Sequence, residues 1–269
     1  MQVYRGMDIG TAKPTAAERA EVPHHLVDVA DPSEDFTLTR FQAAARDVLA
    51  GIEARGHRAL LVGGTGLYLR AVVDDLGVPG QFPEVRSELE ADADTAGLHR
   101  RLAELDPVAA GRMTASNRRR ILRALEVTLG SGRPFSSFGP GLGVHPPSPF
   151  RLVGLWLPRP VLAARIAARV DAMFEAGLVD EVATLLAADG GLSRTARQAL
   201  GYKEVVAHLG DGVPLTETHD AVVRRTRQFA RRQWAWFRRD PRITWVGAAA
   251  NPLADLPVLL GDWLASWAA

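Results

Sequence analysis

Between His24 and Val73 the sequence alternates in a pattern that only a few architectures accept. HHLVDV, residues 24–29, reads as a short strand closed by the turn residues Asp31, Pro32 and Ser33. Apolar Phe41, Ala44, Ala45, Val48, Leu49 and Ile52 then recur at helical spacing. They predict an amphipathic helix over about 39–55, ended by Gly56. Residues 59–62 form an apolar run of the kind that makes a strand buried on both faces. That run leads into Gly63, Gly64, Thr65 and Gly66 and a second helix over about 67–73. Strand, helix, strand, glycine loop and helix predict an α/β fold with a parallel sheet. Ligands of such sheets bind beyond the carboxyl ends of the strands, where the glycine loop falls.

Ahead of this region, residues 3–14 are dense in small and turn-forming residues: Gly6, Gly10, Thr11, Ala12 and Pro14. Its glycines and Lys13 invite comparison with a phosphate-cradling loop. Such a loop needs Gly directly before the Lys and Ser or Thr directly after it. Ala12 and Pro14 flank Lys13, so that reading is excluded. Over 83–130 the pattern becomes helical without strands, and it reads as an insertion in the α/β body. Helices are expected over 83–93 and 98–105, and a short one after Asp106 and Pro107. A longer one, over 118–129, is capped by Asn117 and stopped by Gly130. Residues 132–149, rich in Gly, Pro and Ser, form a long loop. A buried strand over 152–157 follows, then helices over 161–176, 178–188, 197–209 and 221–239. A strand over 243–246 and a closing helix over 256–267 end the pattern.

With 269 residues, 47% of them apolar, the chain can bury a substantial core in one or two domains. No run of about eighteen apolar residues could span a bilayer, and the polar opening does not read as a secretion signal. The absence of cysteine excludes disulfides and thiolate zinc sites and suits a reducing cytoplasm. The seven histidines form no H-E-x-x-H pattern, and on a strand His24 and His25 would point to opposite faces, so no metal site built on histidine is expected. The net charge of +1 carries no message about nucleic acid. Of 32 basic residues only Lys13 and Lys203 are lysine, an excess of arginine that codon bias explains. Where the arginines cluster is therefore the informative quantity.

They cluster most on the helix expected over 221–239. Apolar Val222, Val223, Phe229, Ala230, Trp236 and Phe237 fall on one side at about 100° per residue. Arg224, Arg225, Arg227, Arg231, Arg232, Arg238 and Arg239 fall on the other, with Gln228 among them. Like charges on one face repel unless something anionic lies on them, and a solubility face usually mixes its signs. Arg, with its planar fork of donors, suits phosphate. A plain solvated face is the competing reading. Arg118, Arg119, Arg120 and Arg123 form a second cluster at a helix N-terminus, where positive charge opposes the macrodipole. The glycine loop also has two readings. Its glycines could admit a ligand close to the backbone beside the Thr65 hydroxyl, or Thr65 could simply cap a tight turn.

Five motifs occur in order: QVYRGMDIGTAKP at 2–14, LVGGTGLY at 61–68, RALEV at 123–127, QALGYKE at 198–204 and RRQxxWFR at 231–238. Together they resemble the tRNA dimethylallyltransferases, from Met1 to about Trp245. The resemblance implies a P-loop-kinase-like parallel body, residues 1–80 and 131–269, with a helical insertion over 81–130 that contacts tRNA. It implies transfer of a dimethylallyl group from dimethylallyl diphosphate to the exocyclic amine of adenine 37, with diphosphate leaving with the help of Mg2+. Thr65 would be the catalytic residue beside the target adenine. Gly63, Gly64, Gln198, Tyr202 and Lys203 would line the active-site loops. The tRNA anticodon arm would meet Met1, Gln2, Arg86, Arg119, Arg120, Arg123, Arg224, Arg227, Gln228, Arg231 and Arg232. Asn117 stands where the family usually has Asp, which preserves the cap but leaves no carboxylate there. A cytoplasmic monomer is expected, with no membrane partner. In the family a phosphate loop and a general-base Asp precede the segment matched here. The resemblance therefore implies that the first strand is missing, that the natural protein starts earlier, and that these 269 residues alone are inactive and poorly folded. An adenylate isopentenyltransferase and a non-catalytic tRNA-binding remnant are the alternatives. Without the resemblance, 197–204 reads as a helix start in which Tyr202 packs and Lys203 is solvated.

Overall fold

The computed structural model of the chain describes residues 1–248 and, beyond them, only Ala254, Pro257, Gly261 and Ala265. The closing helix expected over 256–267 lies almost wholly outside the described residues. In chain order the helices are α1 (Ala16–Glu21), α2 (Leu38–Ala54), α3 (Gly66–Val73), α4 (Pro83–Ala91), α5 (Thr95–Leu105), α6 (Pro107–Gly111) and α7 (Arg118–Ser131). After strand β1 (Leu152–Trp156) come α8 (Arg159–Glu175), α9 (Leu178–Ala187), α10 (Tyr202–Asp211) and α11 (Leu215–Phe237), then strand β2 (Ile243–Gly247). The chain divides into two compact units, Met1–Leu69 with Phe150–Ala269, and Arg70–Pro149.

In the first unit β1 and β2 pair in parallel, Leu152 opposite Ile243 through Trp156 opposite Gly247. Parallel neighbours require a long crossover, and α8 to α11 supply it. α11 packs against α8 and α10, and α10 against α9. The core is built from the start of the chain as much as from these helices. Tyr4 and Met7 are fully buried with Ala30, Phe36, Leu178, Val182, Tyr202 and Val205. Lys13 is buried too, and its ammonium has a partner for each of its three protons. It donates to the Tyr4 carbonyl at 2.7 Å, to Asp8 and to Asp28 Oδ1 at 2.6 Å. Arg19 completes the cluster on Asp28 Oδ2 at 2.7 Å.

That cluster explains why residues 24–29 are not the expected strand. Leu26 and Asp28 take positive φ, 60° and 58°, which no strand accepts. The turn delivers the Asp28 carboxylate to Lys13 and Arg19. Only Ala30 keeps a strand-like contact, a parallel bridge to Tyr4. Residues 59–62 also depart from expectation. They make no ladder among the described residues, and Leu60 and Val62 are 73% and 82% exposed. An apolar run becomes a buried strand only where a neighbour accepts its N–H and C=O groups. The helix expected over 197–209 is interrupted as well. A 3-10 turn, Ala196–Gln198, is followed by Gly201 at φ +87°, and α10 restarts with Glu204 accepting from the Gly201 N–H at 2.8 Å. α1 was legible in principle, since Thr15 and Glu18 form a capping box.

The second unit is helical, with a core of Leu89, Leu98, Leu102, Ile121, Leu122 and Leu125. α7 does not stop at Gly130 but runs to Ser131 and ends on Gly132 at φ +69°. Gly130 instead clears space for the Phe82 ring, which a methyl group there would overlap. Buried Asp106 caps α6 through the Ala109 N–H and also accepts from the Ser136 N–H at 2.7 Å, fixing the chain after α7. Buried Arg70 holds the loop further on by donating to the carbonyls of Leu142 and Val144.

The Asp28 cluster predicts a pH dependence. Burial alone would raise the Asp28 carboxyl, but the hydrogen bonds and charges of Lys13 and Arg19 outweigh it and hold the group below its ordinary value. A carboxylate depressed in the folded state adds stability above its unfolded pKa and loses it as pH falls through the folded one. Asp28→Asn should therefore melt lower at neutral pH and show a shallower loss of melting temperature below about pH 4. Parallel melting curves for the two proteins from neutral to acid pH would refute this.

Candidate active site and nucleic-acid interface

The glycine loop 63–66 rests on α11. Gln233 Nε2 donates to the Gly64 carbonyl at 2.9 Å. A methyl group at Gly64 would occupy the place of that amide, and one at Gly66 would overlap the Trp236 indole. The close approach that glycine permits here is thus to the protein's own helix. Thr65 opens α3 and is exposed, and its hydroxyl makes no hydrogen bond among the described residues. The simple cap reading is therefore not what the structure shows, and the hydroxyl is presented to solvent.

Residues 6–14 are seated by a different device. Glu181 of α9 accepts from three successive backbone N–H groups, those of Asp8 (2.9 Å), Ile9 (2.7 Å) and Gly10 (3.3 Å). The Tyr202 hydroxyl donates to the same carboxylate. Burial, with the Glu181 carboxylate beside it, pushes the Tyr202 hydroxyl far up, so it remains a neutral donor. Gly10 lies against the Tyr202 ring, and a methyl group on it would also stand 2.9 Å from Leu178 Cδ1. Of the QALGYKE residues, Tyr202 is a packed core residue, while Gln198 and Lys203 are exposed beside it in sequence. Met1 is 45% exposed. The Gln2 side chain turns inward to the carbonyls of Thr11 and Ala12 at 3.1 and 3.0 Å.

α11 begins earlier than its basic face predicts, at Leu215 after Pro214. Its arginines separate by environment. Arg225 is half-exposed and pairs with buried Glu204. Arg224, Arg227, Gln228, Arg231 and Arg232 are exposed. Arg227 reaches the Ala163 carbonyl at 3.3 Å. Arg224, Arg231 and Arg232 form no ion pair among the described residues. Arg224, Arg227 and Arg231 line a shallow groove of about 430 Å³ with Asp220 and Val223. Three guanidinium groups on successive turns, with one carboxylate at the end, make an anion-accepting surface.

The second basic cluster also divides. Arg118 is turned inward to the carbonyls of Glu90 and Asp92. Arg123 donates to Glu126 at 2.7 Å and to the Pro79 carbonyl at 2.8 Å, and Arg86 pairs with Glu90 and approaches Glu126 at 3.8 Å. Glu126, nearly buried, also accepts from the Phe82 N–H at 3.0 Å, so the acid of the RALEV motif is the hub of this unit. Arg119 and Arg120 remain exposed. No group of three acids or histidines that could hold a metal occurs among the described residues, and Asp8 and Asp28 converge on Lys13 instead. These residues do not fit a magnesium site. Periodicity gives no sign of Glu181 or Glu126, because each acts through backbone groups distant in sequence. Gln233 and Trp236 stand inside a motif, but only the fold shows what they touch.

The IPP transferase family model matches residues 2–240. The tRNA dimethylallyltransferase of Nocardioides sp. is 49% identical over 261 residues, which cover 96% of this chain and 84% of that protein. The solved tRNA isopentenylpyrophosphate transferase of Bacillus halodurans superposes with a TM-score of 0.69 at 39% identity, covering 98% of this chain and 84% of that one. A eukaryotic dimethylallyltransferase, captured acting on tRNA, gives a TM-score of 0.75 at 25% identity over 95% of this chain and 67% of that one. A match over most of the chain, close relatives of one kind and a shared α/β fold agree, and the chain belongs to the IPP transferase family of prenyl-transferring enzymes.

Proposed function

We propose that the protein transfers a dimethylallyl group from dimethylallyl diphosphate to the N6 amine of the adenine beside the anticodon of tRNA. The amine nitrogen bonds to the first carbon of the dimethylallyl group, the carbon–oxygen bond to diphosphate breaks with its electrons, and the amine loses a proton. The observation that carries this reading is the two-sided use of α11. One side grips the loop that presents the Thr65 hydroxyl, and another carries exposed Arg224, Arg227 and Arg231 in a groove suited to phosphate, with Arg232 exposed next to Arg231 in sequence. In the second unit Arg119 and Arg120 are the exposed candidates for tRNA phosphates, while Arg86 and Arg123 are committed to Glu126. No step is assigned to magnesium.

A narrower reading is favoured by residues 59–62. Exposed Leu60 and Val62 and an unladdered backbone leave room for another strand of a P-loop-kinase-like body. On this reading the 269 residues alone transfer little prenyl group, and the remaining groups, a phosphate loop and a carboxylate base, come with that strand. Expressing this chain beside a longer form extended at its start, with transfer to tRNA measured for both, decides the point. Equal rates would overturn the narrower reading.

Binding of tRNA should weaken when Arg227 and Arg231 are both reversed to Glu. Its salt dependence should flatten by about 0.7 to 0.9 in log–log slope for each phosphate that is no longer neutralised. An unchanged slope would mean that these arginines only solvate the helix. In an active form, Thr65→Val should lower transfer at least tenfold, on the scale of removing one positioned polar group, with little change in melting temperature. A loss of about 1 kcal/mol in stability with turnover intact would instead restore the capping role.

A further inference from the structure

Among the half-buried uncharged residues in the RRQxxWFR end of α11, Gln233 and Trp236 face the glycine loop. Neither Gly64 nor Gly66 has positive φ, so backbone conformation does not require glycine there; the neighbouring side chains do. The Gly64 carbonyl can only accept, so the Gln233 amide must offer its nitrogen, and an acceptor of the same shape cannot replace it. Thr65 lies between the two gripped residues. Its hydroxyl has no partner among the described residues, so the backbone on either side sets where it points.

We propose that Gln233 is a positioning residue for Thr65, acting through the Gly64 carbonyl, with Trp236 as a wedge beneath Gly66. The grip ties the threonine to the helix that bears Arg231 and Arg232, so the anion-accepting surface and the loop hold one fixed geometry. This assignment rests on the reading of Thr65 as an active-site group, whereas the grip itself does not.

Gln233→Glu keeps the size of the side chain and replaces its donor with a charged acceptor; Gln233→Ala removes the side-chain amide altogether. Amide hydrogen exchange over residues 64–69, measured in the 269-residue chain, should quicken about tenfold or more in both variants. In an active form, kcat should fall about tenfold or more, with tRNA affinity and melting temperature unchanged. The Gln233→Glu loss, taken relative to wild type at the same pH, should shrink as pH falls, because the protonated carboxyl again donates to Gly64. A defect that tracks stability cannot produce that recovery in one variant only. Unchanged exchange in both variants, or a kcat loss that follows tRNA affinity or melting temperature, would overturn the proposal. Faster exchange with full activity in both Gln233→Glu and Thr65→Val would leave the grip in place and overturn the assignment of Thr65.

Discussion

One carboxylate holds the opening of the chain in place. Glu181 takes three consecutive N–H groups of residues 8–10 and the hydroxyl of buried Tyr202, so α9, α10 and the first loop share a single polar centre. Hydrogen bonds to a charged acceptor are roughly twice as strong as those between neutral groups. A charged acceptor that satisfies several at once is therefore a strong local constraint. Everything nearby fits around it. Gly10 has no side chain because the Tyr202 ring is there, and Tyr4 and Met7 can bury because the loop between them and Lys13 is fixed.

Lys13 extends the same logic. It would be a poor choice for a core if it were alone, since a buried ammonium without partners is costly. With two carboxylates and a carbonyl around it, it becomes a knot that ties residues 4, 8 and 28 together. The lysine that the flanking Ala12 and Pro14 exclude from a phosphate loop is a structural residue here. Glu126 plays the corresponding part in the second unit, ordering Arg86, Arg123 and the Phe82 N–H.

α11 shows how one element can serve two ends. Its interior face meets α8 and α10, Arg225 closes on Glu204, Gln233 and Trp236 grip the glycine loop, and the remaining arginines stay outside. A charge pattern that reads in sequence as a single basic face is thus divided by partner, Arg225 being paired with a buried carboxylate. The same division separates Arg119 and Arg120 from Arg118 and Arg123 at the start of α7.

By itself the sequence determined most of the helices, the two paired strands and the family, because apolar period, caps and long motifs are local properties of the chain. Thr37 and Asn117 cap α2 and α7, and Asp106 with Pro107 opens α6, as short-range chemistry requires. Only the tertiary structure decided which arginines face water, why Gly64, Gly66 and Gly130 are glycine, and what Glu181 and Gln233 are for. Each of those depends on a partner far away in sequence. The two missed strands show the same limit. Residues 24–29 gave up a ladder so that Asp28 could reach Lys13, and residues 59–62 have strand composition but no neighbour among the described residues to pair with. Composition can favour a strand, but a strand forms only where another backbone accepts its hydrogen bonds.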